Sequence, residues 1–400
     1  MKDFDVCIVG SGAGAAPVAY TLAKAGKKVV VLEKGPFFKT EDFSKDELGC
    51  CRRSLFTPNL RDEHHVIEEE YTDGSWRGES TFDSGWDFWN GNMVGGSSNL
   101  MSGYFHRMKP HDFRLLSEFG PIEGANIVDW PISYDELEPY YTLVENVVGV
   151  SGKVVDHPNQ EPRSTGDFPQ PPLAENGVSK WIDKACTDLG YHVIPTPRAI
   201  LSQPVKDRRS CYYSNFCGSY GCSSNAKGSA RAALINSAIA TGNCEIRPLS
   251  KVYRLISDEK GRVSGVRYFD KYGYKQTVDA KIYVVACQAI ETSRLLLTSL
   301  GPKHLQGLGN NKGQIGKNLL FSAGGSGQGT FYFKDLSDTQ IAEIDVPGVF
   351  VNRALQDWYF FDKKELGGKL KGGTIDFLWR HTNGIARANH IKRDADGKLI

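Results

Sequence analysis

Two groups of residues in this chain have types and spacings that chemistry can use. In "VGSGAGAAP", Gly10, Gly12 and Ala15 hold the small-residue positions of a turn that brings backbone against a pyrophosphate. Glu33 follows 23 residues after Gly10, where a carboxylate can accept hydrogen bonds from ribose hydroxyls. The second group is Cys211, Cys217 and Cys222 in "CYYSNFCGSYGCSSNAKGS", three of nine cysteines within twelve residues. Such a set can ligate a metal, form one disulfide with a thiol left over, or be three small buried side chains. Structural zinc takes four nitrogen or sulfur ligands, and no histidine lies near this loop in the sequence.

The elements that must position the first group read directly from the sequence. Val6 to Val9 is an apolar run of buried-strand length; Pro17, Val18, Leu22 and the intervening alanines fit a helix that Gly26 stops. Val29 to Leu32 is a second strand, ending at Glu33. The first glycine allows the tight turn, the second admits the pyrophosphate, and the third small residue lets helix pack on strand. The helix N-terminus offers free N–H groups and positive potential to the phosphates. An ordinary βαβ turn is the plain alternative, and this segment alone does not choose between FAD and NAD.

Composition excludes several classes. The 400 residues carry a net charge of +1, with 40% hydrophobic and 24% charged residues, so no overall field draws the chain to nucleic acid or anionic lipid. Glycine is abundant at 43 residues, as expected where backbone meets a ligand closely. No apolar run reaches the length of a membrane span. The start "MKDFDVCIVG" shows no signal peptide, so the expected location is cytoplasmic, or periplasmic if a signal-bearing partner carries the chain out. An odd number of scattered cysteines argues against a secreted disulfide framework.

Three further segments carry a resemblance. They are "NGNMVGGSSNLMSGYFHR" (Asn90 to Arg107), "DWPISYDELEPYYTLVENVVGVSG" (Asp129 to Gly152) and "VVACQAIETSRLLLTS" (Val284 to Ser299). In this order and spacing, from Lys2 to about Gly325, the chain resembles the glucose-methanol-choline (GMC) family of FAD-dependent oxidoreductases, in particular the flavoprotein subunits of gluconate- and glucoside-type dehydrogenases. The resemblance implies an α/β fold: a Rossmann-like FAD-binding domain with a mixed-sheet substrate domain. It divides the chain into a first FAD-binding part (1–155), a connector with part of the cap (156–200), a second FAD-binding part with the cysteine loop (201–321), and the start of a substrate domain (322–400). It places FAD on Gly10, Gly12, Gly14, Ala15 and Glu33, on Gly95, Gly96, Ser97 and Asn99, on Val252 in "SKVYRL", and on Ala286. Gln288 stands where the family has glycine and Ser293 where it has proline, so the turn after Ala286 is expected to differ in detail. Leu100 stands where covalently flavinylated members carry histidine, which implies non-covalent FAD, and His106 is expected to be packed or exposed rather than flavin-linked.

The same branch implies a role for the cysteines. Its cysteine pattern would be filled here by Cys211, Cys217 and Cys222, with Ser214 at the second position, and three thiolates suit a three-iron, four-sulfide cluster. Three buried cysteines without metal remain the plain alternative. Cys7 and Cys287 are expected in the core, Cys186 and Cys244 in structural helix-like or turn-like settings, and Cys50 and Cys51 at the surface.

The remaining chain reads more simply. The segment "EHHVIEEEYTDGSWRGESTFDSGWDFWNG" is expected to be an irregular excursion. Within it His64 and His65 beside Glu68 to Glu70 are expected to form a solvated charge run, with a metal site as the alternative, and Trp76, Trp86 and Trp89 are expected to pack, with lining an entrance or stacking on a sugar ring as the alternative. Asp156 to Pro172 is a proline-rich connector, followed by a helix near Val178 to Leu189 and an extended "HVIPTPRAI"; alternating strands are expected from "SAGGSGQGTFYF" onward. The family's histidine base lies in a C-terminal His-Pro-x-Gly-Thr-like block, and none of the nine histidines has that context. The catalytic residue is therefore unknown and expected beyond Ile400, with the C-terminal part of the fold missing. The expected function is oxidation of a CH–OH group in a sugar, sugar acid or polyol, with electrons passing through the cluster to a cytochrome-type acceptor and a small subunit as partner. The alternatives are an oxygen-using alcohol oxidase without a cluster and a non-catalytic flavin-binding subunit.

Overall fold

A computed structural model describes residues 3–46, 66–80, 91–218, 220–320, 324–348, 350–364 and 367–378. In chain order its strands are β1 (Phe4–Val9), β2 (Val29–Leu32), β3 (Val66–Glu70), β4 (Trp76–Ser80), β5 (Val193–Pro195), β6 (Cys244–Arg247), β7 (Lys251–Ser257), β8 (Val263–Phe269), β9 (Lys275–Val278), β10 (Ala280–Val285), β11 (Phe350–Leu355), β12 (Phe360–Lys363), β13 (Gly368–Lys371) and β14 (Ile375–Leu378). The α-helices are α1 (Ala16–Lys24), α2 (Leu115–Phe119), α3 (Tyr134–Val148), α4 (Gly177–Asp188), α5 (Asn236–Ile239), α6 (Ala289–Thr298) and α7 (Asp338–Ile344).

The central sheet is parallel, in the order β10-β1-β2-β6, and is apolar on both faces because both are covered. Val6, Ile8, Val29 and Val31 face the alanines of α1 and the helices around Ala233 and Ala238. Cys7, Val9, Val30 and Leu32 face Val252, Leu255 and Val266 of the antiparallel sheet β7-β8-β9, with Leu295 of α6. Burying each such aliphatic side chain is worth roughly 1.5–3 kcal/mol. Small residues along α1 (Ala16, Ala19 and Ala23, all fully buried) let the helix lie close on the strands. The register sets Val9 beside both Leu32 and Val285, so Gly10, Glu33 and Ala286 emerge together at the carboxyl ends of three neighbouring strands.

A second sheet, β14-β11-β5, is antiparallel and buries every residue of β11. Arg198, with no solvent exposure, ties it to the first unit: it donates to Asn352 Oδ1 of β11 (2.7 Å) and to Ser102 O (2.7 Å), with its guanidinium over Phe350 and Tyr104. The connector at 156–172 is held by charge. Lys109 meets Glu161 at 2.5 Å, Arg163 meets Glu145, and Arg107 donates to Glu138 (2.8 Å) and Glu145 (2.7 Å) of α3.

Four expectations need correction. Residues 324–332 form no strand; their four glycines lack side chains to pack, the segment is exposed, and the chain continues into a 3-10 turn and α7. The stretch around residue 73 is not wholly irregular, because β3 and β4 pair as a hairpin across an Asp73-Gly74 turn whose glycine has φ +77°. Trp76 on that hairpin is 64% exposed rather than packed. Cys244 opens strand β6 rather than a helix or turn, since β2 supplies a free edge for it. Cys50, Cys51, His64, His65, Trp86 and Trp89 lie outside the described residues. Among the described residues no helix is long and apolar enough to cross a membrane.

Candidate functional site

A cavity of about 500 Å³ opens at the carboxyl ends of β1, β2 and β10, the place where open α/β sheets receive ligands. Gly10, Gly12, Gly14, Glu33, Gly96, Ser97, Val252 and Ala286 line it. Gly10 has φ +91°, and a Cβ there would sit 2.5 Å from the Ala286 carbonyl oxygen, so this glycine permits the turn and the close approach of β10. Gly12 differs: a Cβ would meet nothing within 4 Å and would project into open space beside the start of α1. That combination, bare backbone in front of a helix N-terminus, fits a diphosphate.

The acid is wired more tightly than spacing alone suggests. Ser11 donates to Glu33 Oε2 through its hydroxyl (2.6 Å) and backbone N–H (3.1 Å), and Gly35 N–H donates to Oε1 (2.9 Å). Burial pushes the Glu33 carboxyl above its usual range, and these hydrogen bonds pull against it. Ser11 Oγ also accepts from Gly95 N–H at 3.0 Å, joining the first turn to the second glycine loop. Sequence reasoning missed Ser11 because it fills a variable position of the fingerprint, and its partners lie 22 and 84 residues away, where no local signal marks them.

Gly95 takes φ +93° and starts a 3-10 turn, Gly96–Leu100, that lays Gly96 against Gly12. Gly95 and Asn99 stand behind the cavity wall: Asn99 Nδ2 donates to Val94 O and Gly96 O, both at 3.0 Å, and so fixes the loop. Ala15 likewise packs in the core under α1. Ser97 Oγ accepts from Gly91 N–H at 2.8 Å. Leu100 is buried. His106 is half-buried, its Nε2 3.2 Å from Asp376 Oδ1.

The turn after Ala286 shows why a glycine is usual there. Gln288 has φ +73°, a conformation that side chains rarely adopt, and it caps α6 by accepting from Ile290 N–H (2.8 Å) and Glu291 N–H (3.3 Å). The cap offsets part of the strain. Ser293, in the proline position, donates to Ala289 O at 2.9 Å within the helix. Cys287 lines the cavity instead of lying wholly in the core, because the strand ends one residue before its turn.

Cys211, Cys217 and Cys222 are free thiols on one small cavity of about 30 Å³, shared with Ser214, Lys45 and Lys227. Lys45 donates to the Phe216 and Gly221 carbonyls, and Lys227 to those of Gly218 and Tyr220, so two ammonium groups set the loop's path. Burial pushes the Cys211 thiol up to about 11. At Cys222 burial is outweighed by hydrogen bonds from the Lys227 backbone and Ser224 and by the Lys227 charge, which hold the thiol below its ordinary value. Three thiols and a cationic wall fit an anionic iron–sulfur group in kind. The present volume, room for a water or two, admits one only if the 211–222 loop moves outward.

A third cluster, His157, His192 and Asp357, brings its donor atoms within 4.8 Å of one another. Asn159 N–H donates to His157 Nδ1 at 2.9 Å, so the neutral ring carries its proton on Nε2, facing Asp357 Oδ2 at 3.9 Å. A metal at Nε2 would have to displace that proton. With His192 Nδ1 2.7 Å from Asp357, the cluster instead pins the connector to the turn after β11.

Comparison with known proteins agrees with this geometry. An FAD binding domain model matches residues 5–44, and a GMC oxidoreductase model matches residues 79–322. The chain is similar to 2-methyl-1,2-propanediol dehydrogenase of Mycolicibacterium austroafricanum, 33% identical over 324 residues, 79% of this chain and 54% of that protein. It is similar to paromamine 6'-oxidase of Streptomyces fradiae, 33% identical over 318 residues, 79% of this chain and 53% of that protein. The fructose dehydrogenase large subunit of Gluconobacter japonicus is 25% identical over 331 residues, 79% of this chain and 58% of that protein. The chain thus spans about half the length of these curated relatives. With a family model covering more than half of its residues, and a glycine cradle of the matching form, the chain belongs to the GMC oxidoreductase family and carries its FAD-binding fold.

Proposed function

We propose that this chain holds the flavin of a dehydrogenase that oxidises the CH–OH group of a sugar, sugar acid or polyol, with electrons leaving through an iron–sulfur cluster on Cys211, Cys217 and Cys222 to a cytochrome-type acceptor. The observation that carries the reading is the open cradle at Gly12, backed by relatives whose names are those of alcohol- and sugar-oxidising enzymes. FAD supplies the hydride acceptor. The chain's own residues bind and orient it: the α1 N-terminus and Gly12 face the diphosphate, Glu33, held by Ser11, faces the ribose, and the Gly96–Leu100 turn closes the wall. Buried Leu100 offers no nucleophile for a bond to the flavin, so the FAD is non-covalent.

A second reading is favoured by two observations. The cysteine cavity is small, and paromamine 6'-oxidase is among the relatives, which together suit an oxygen-using oxidase without a cluster. Anaerobic addition of sugars, sugar acids and polyols to FAD-loaded protein that carries the C-terminal histidine block tests the shared part: one of them should bleach the flavin, and a panel that bleaches nothing counts against both readings. Iron and acid-labile sulfide, with sulfide in excess, support the cluster. Iron-free protein whose three thiols all react with an alkylating reagent under native anaerobic conditions supports the oxidase.

A further inference from the structure

Ser11 stands on a hydrogen-bonded path that leaves the ribose end of the cavity and finishes on a distant part of the chain. It has no solvent exposure, and Glu33 and Gly95 beside it are also buried. An ionised carboxylate only accepts, so the single hydroxyl hydrogen of Ser11 is committed to Glu33 Oε2 at 2.6 Å. That leaves the oxygen lone pairs for the Gly95 N–H at 3.0 Å. Gly95 is held from its other side as well: Ser98 Oγ donates to Gly95 O (2.6 Å) and accepts from Ala230 N–H (2.9 Å). Every hydrogen bond of the path therefore donates toward Glu33. It joins residues 22, 84 and 132 positions apart, from the first glycine turn through the second glycine loop to the helix at Ala230.

Hydrogen bonds arranged in such a chain polarise one another, and a buried donor that loses its acceptor is costly. Desolvation disfavours the charged form of Glu33, and each donor brought to the carboxylate offsets that. The hydroxyls of a bound ribose are such donors. They hold the carboxylate ionised and in place; the carboxylate fixes the Ser11 hydroxyl, and the hydroxyl fixes Gly95, whose φ of +93° starts the Gly96–Leu100 turn. We infer that Ser11 is a positioning residue that couples the adenosine end of the flavin site to the second glycine loop, so that a nucleotide at Glu33 orders the Gly96–Leu100 turn. The inference rests on the FAD cradle and adds the residue through which its two loops act together. A second tie bypasses the serine, since Val94 N–H donates to Pro36 O at 3.0 Å. Removing the Ser11 hydroxyl thus breaks the path and leaves the loop attached.

The test follows hydrogen exchange of the segment from Gly91 to Met101 in the full chain freed of FAD, with saturating ADP or with dideoxy-ADP. The two nucleotides share adenine and diphosphate and differ only in the ribose hydroxyls. In wild type ADP should slow exchange of the segment about tenfold more than dideoxy-ADP does, whereas in Ser11→Ala and in Glu33→Gln the two should act alike. Ser11→Thr, which keeps the hydroxyl, should restore the difference. FAD affinity supplies the second readout: Ser11→Ala should lower it about tenfold in the wild-type background and less than about twofold in Glu33→Gln, because the serine acts through the acid. If Ser11→Ala does not fold, Glu33→Gln against wild type decides the nucleotide comparison alone. Equal protection by the two nucleotides in wild type, or an equal loss of FAD affinity on Ser11→Ala in both backgrounds, overturns the inference and leaves the cradle standing. Wild-type protein that binds neither ADP nor FAD overturns both.

Discussion

Gly10 and Gly12 lie two residues apart in one turn, yet the structure separates what each contributes. Gly10→Ala puts a Cβ 2.5 Å from the Ala286 carbonyl oxygen in a residue at φ +91°. The left-handed backbone costs about 1–2 kcal/mol for a side-chain residue, and forcing apart two packed turns adds about 1–3 kcal/mol. The total of roughly 2–5 kcal/mol falls on the folded protein itself and should lower the melting temperature of FAD-free protein by roughly 2–6 °C. Gly12→Val starts its side chain in open space, since a Cβ there has nothing within 4 Å. Its melting temperature without FAD should stay near wild type, while the isopropyl group fills the space where the diphosphate meets backbone. FAD affinity should fall at least a hundredfold, about 2.7 kcal/mol. The assay is a thermal melt with and without added FAD, beside fluorescence titration of the flavin. Stoichiometric flavin in Gly12→Val refutes the cradle, and equal destabilisation of both FAD-free variants refutes the division of labour.

Acid precipitation should release all the FAD into the supernatant, because Leu100 cannot form a covalent link; yellow colour in the pellet would contradict this. Burial pushes the Glu138 carboxyl up, but Arg107 with Ser164 and Thr142 outweighs it and holds it at about 2, below its ordinary 4.5. A lowered carboxyl contributes stability that is complete above the unfolded value and is lost as pH falls through the folded one. The stability gap between wild type and Glu138→Gln should therefore be on the order of 2–3 kcal/mol at pH 6 and close as pH drops from 4.5 towards 2; a pH-independent gap in denaturant titrations contradicts the pairing. Gln288→Ala keeps the φ +73° strain and loses two capping hydrogen bonds, whereas Gln288→Gly relieves the strain. The Ala variant should be the less stable of the two by about 1 kcal/mol in thermal melts, and the reverse order would show that the cap does not set this turn.

The N-terminal cradle was legible from sequence because all its parts lie within thirty-odd residues. Apolar runs, a small-residue helix and a glycine turn each obey a local rule, and the register that gathers Gly10 and Glu33 follows from strands of matching length. Helix α4 and the extended stretch holding β5 were readable for the same reason. Legibility failed where a residue's role depends on a distant partner. Cys244 becomes the first residue of an edge strand only because β2 offers an unpaired side, more than 200 residues earlier in the chain. Asp73-Gly74 makes a hairpin within a segment too charged and aromatic to show strand alternation.

The sequence by itself determined a parallel α/β nucleotide cradle, its family, and three cysteines close enough to share a ligand. Only the tertiary structure decided that Ser11 links Glu33 to the Gly95 loop, that Asn99 and Gly95 stand behind the wall, and that Arg208, Lys227 and Arg231 are buried with carbonyl and amide oxygens as their partners. Spacing along the chain encodes backbone geometry, which repeats every few residues. The burial of a charge, and what neutralises it, depends on which segments fold against one another, and no local period records that.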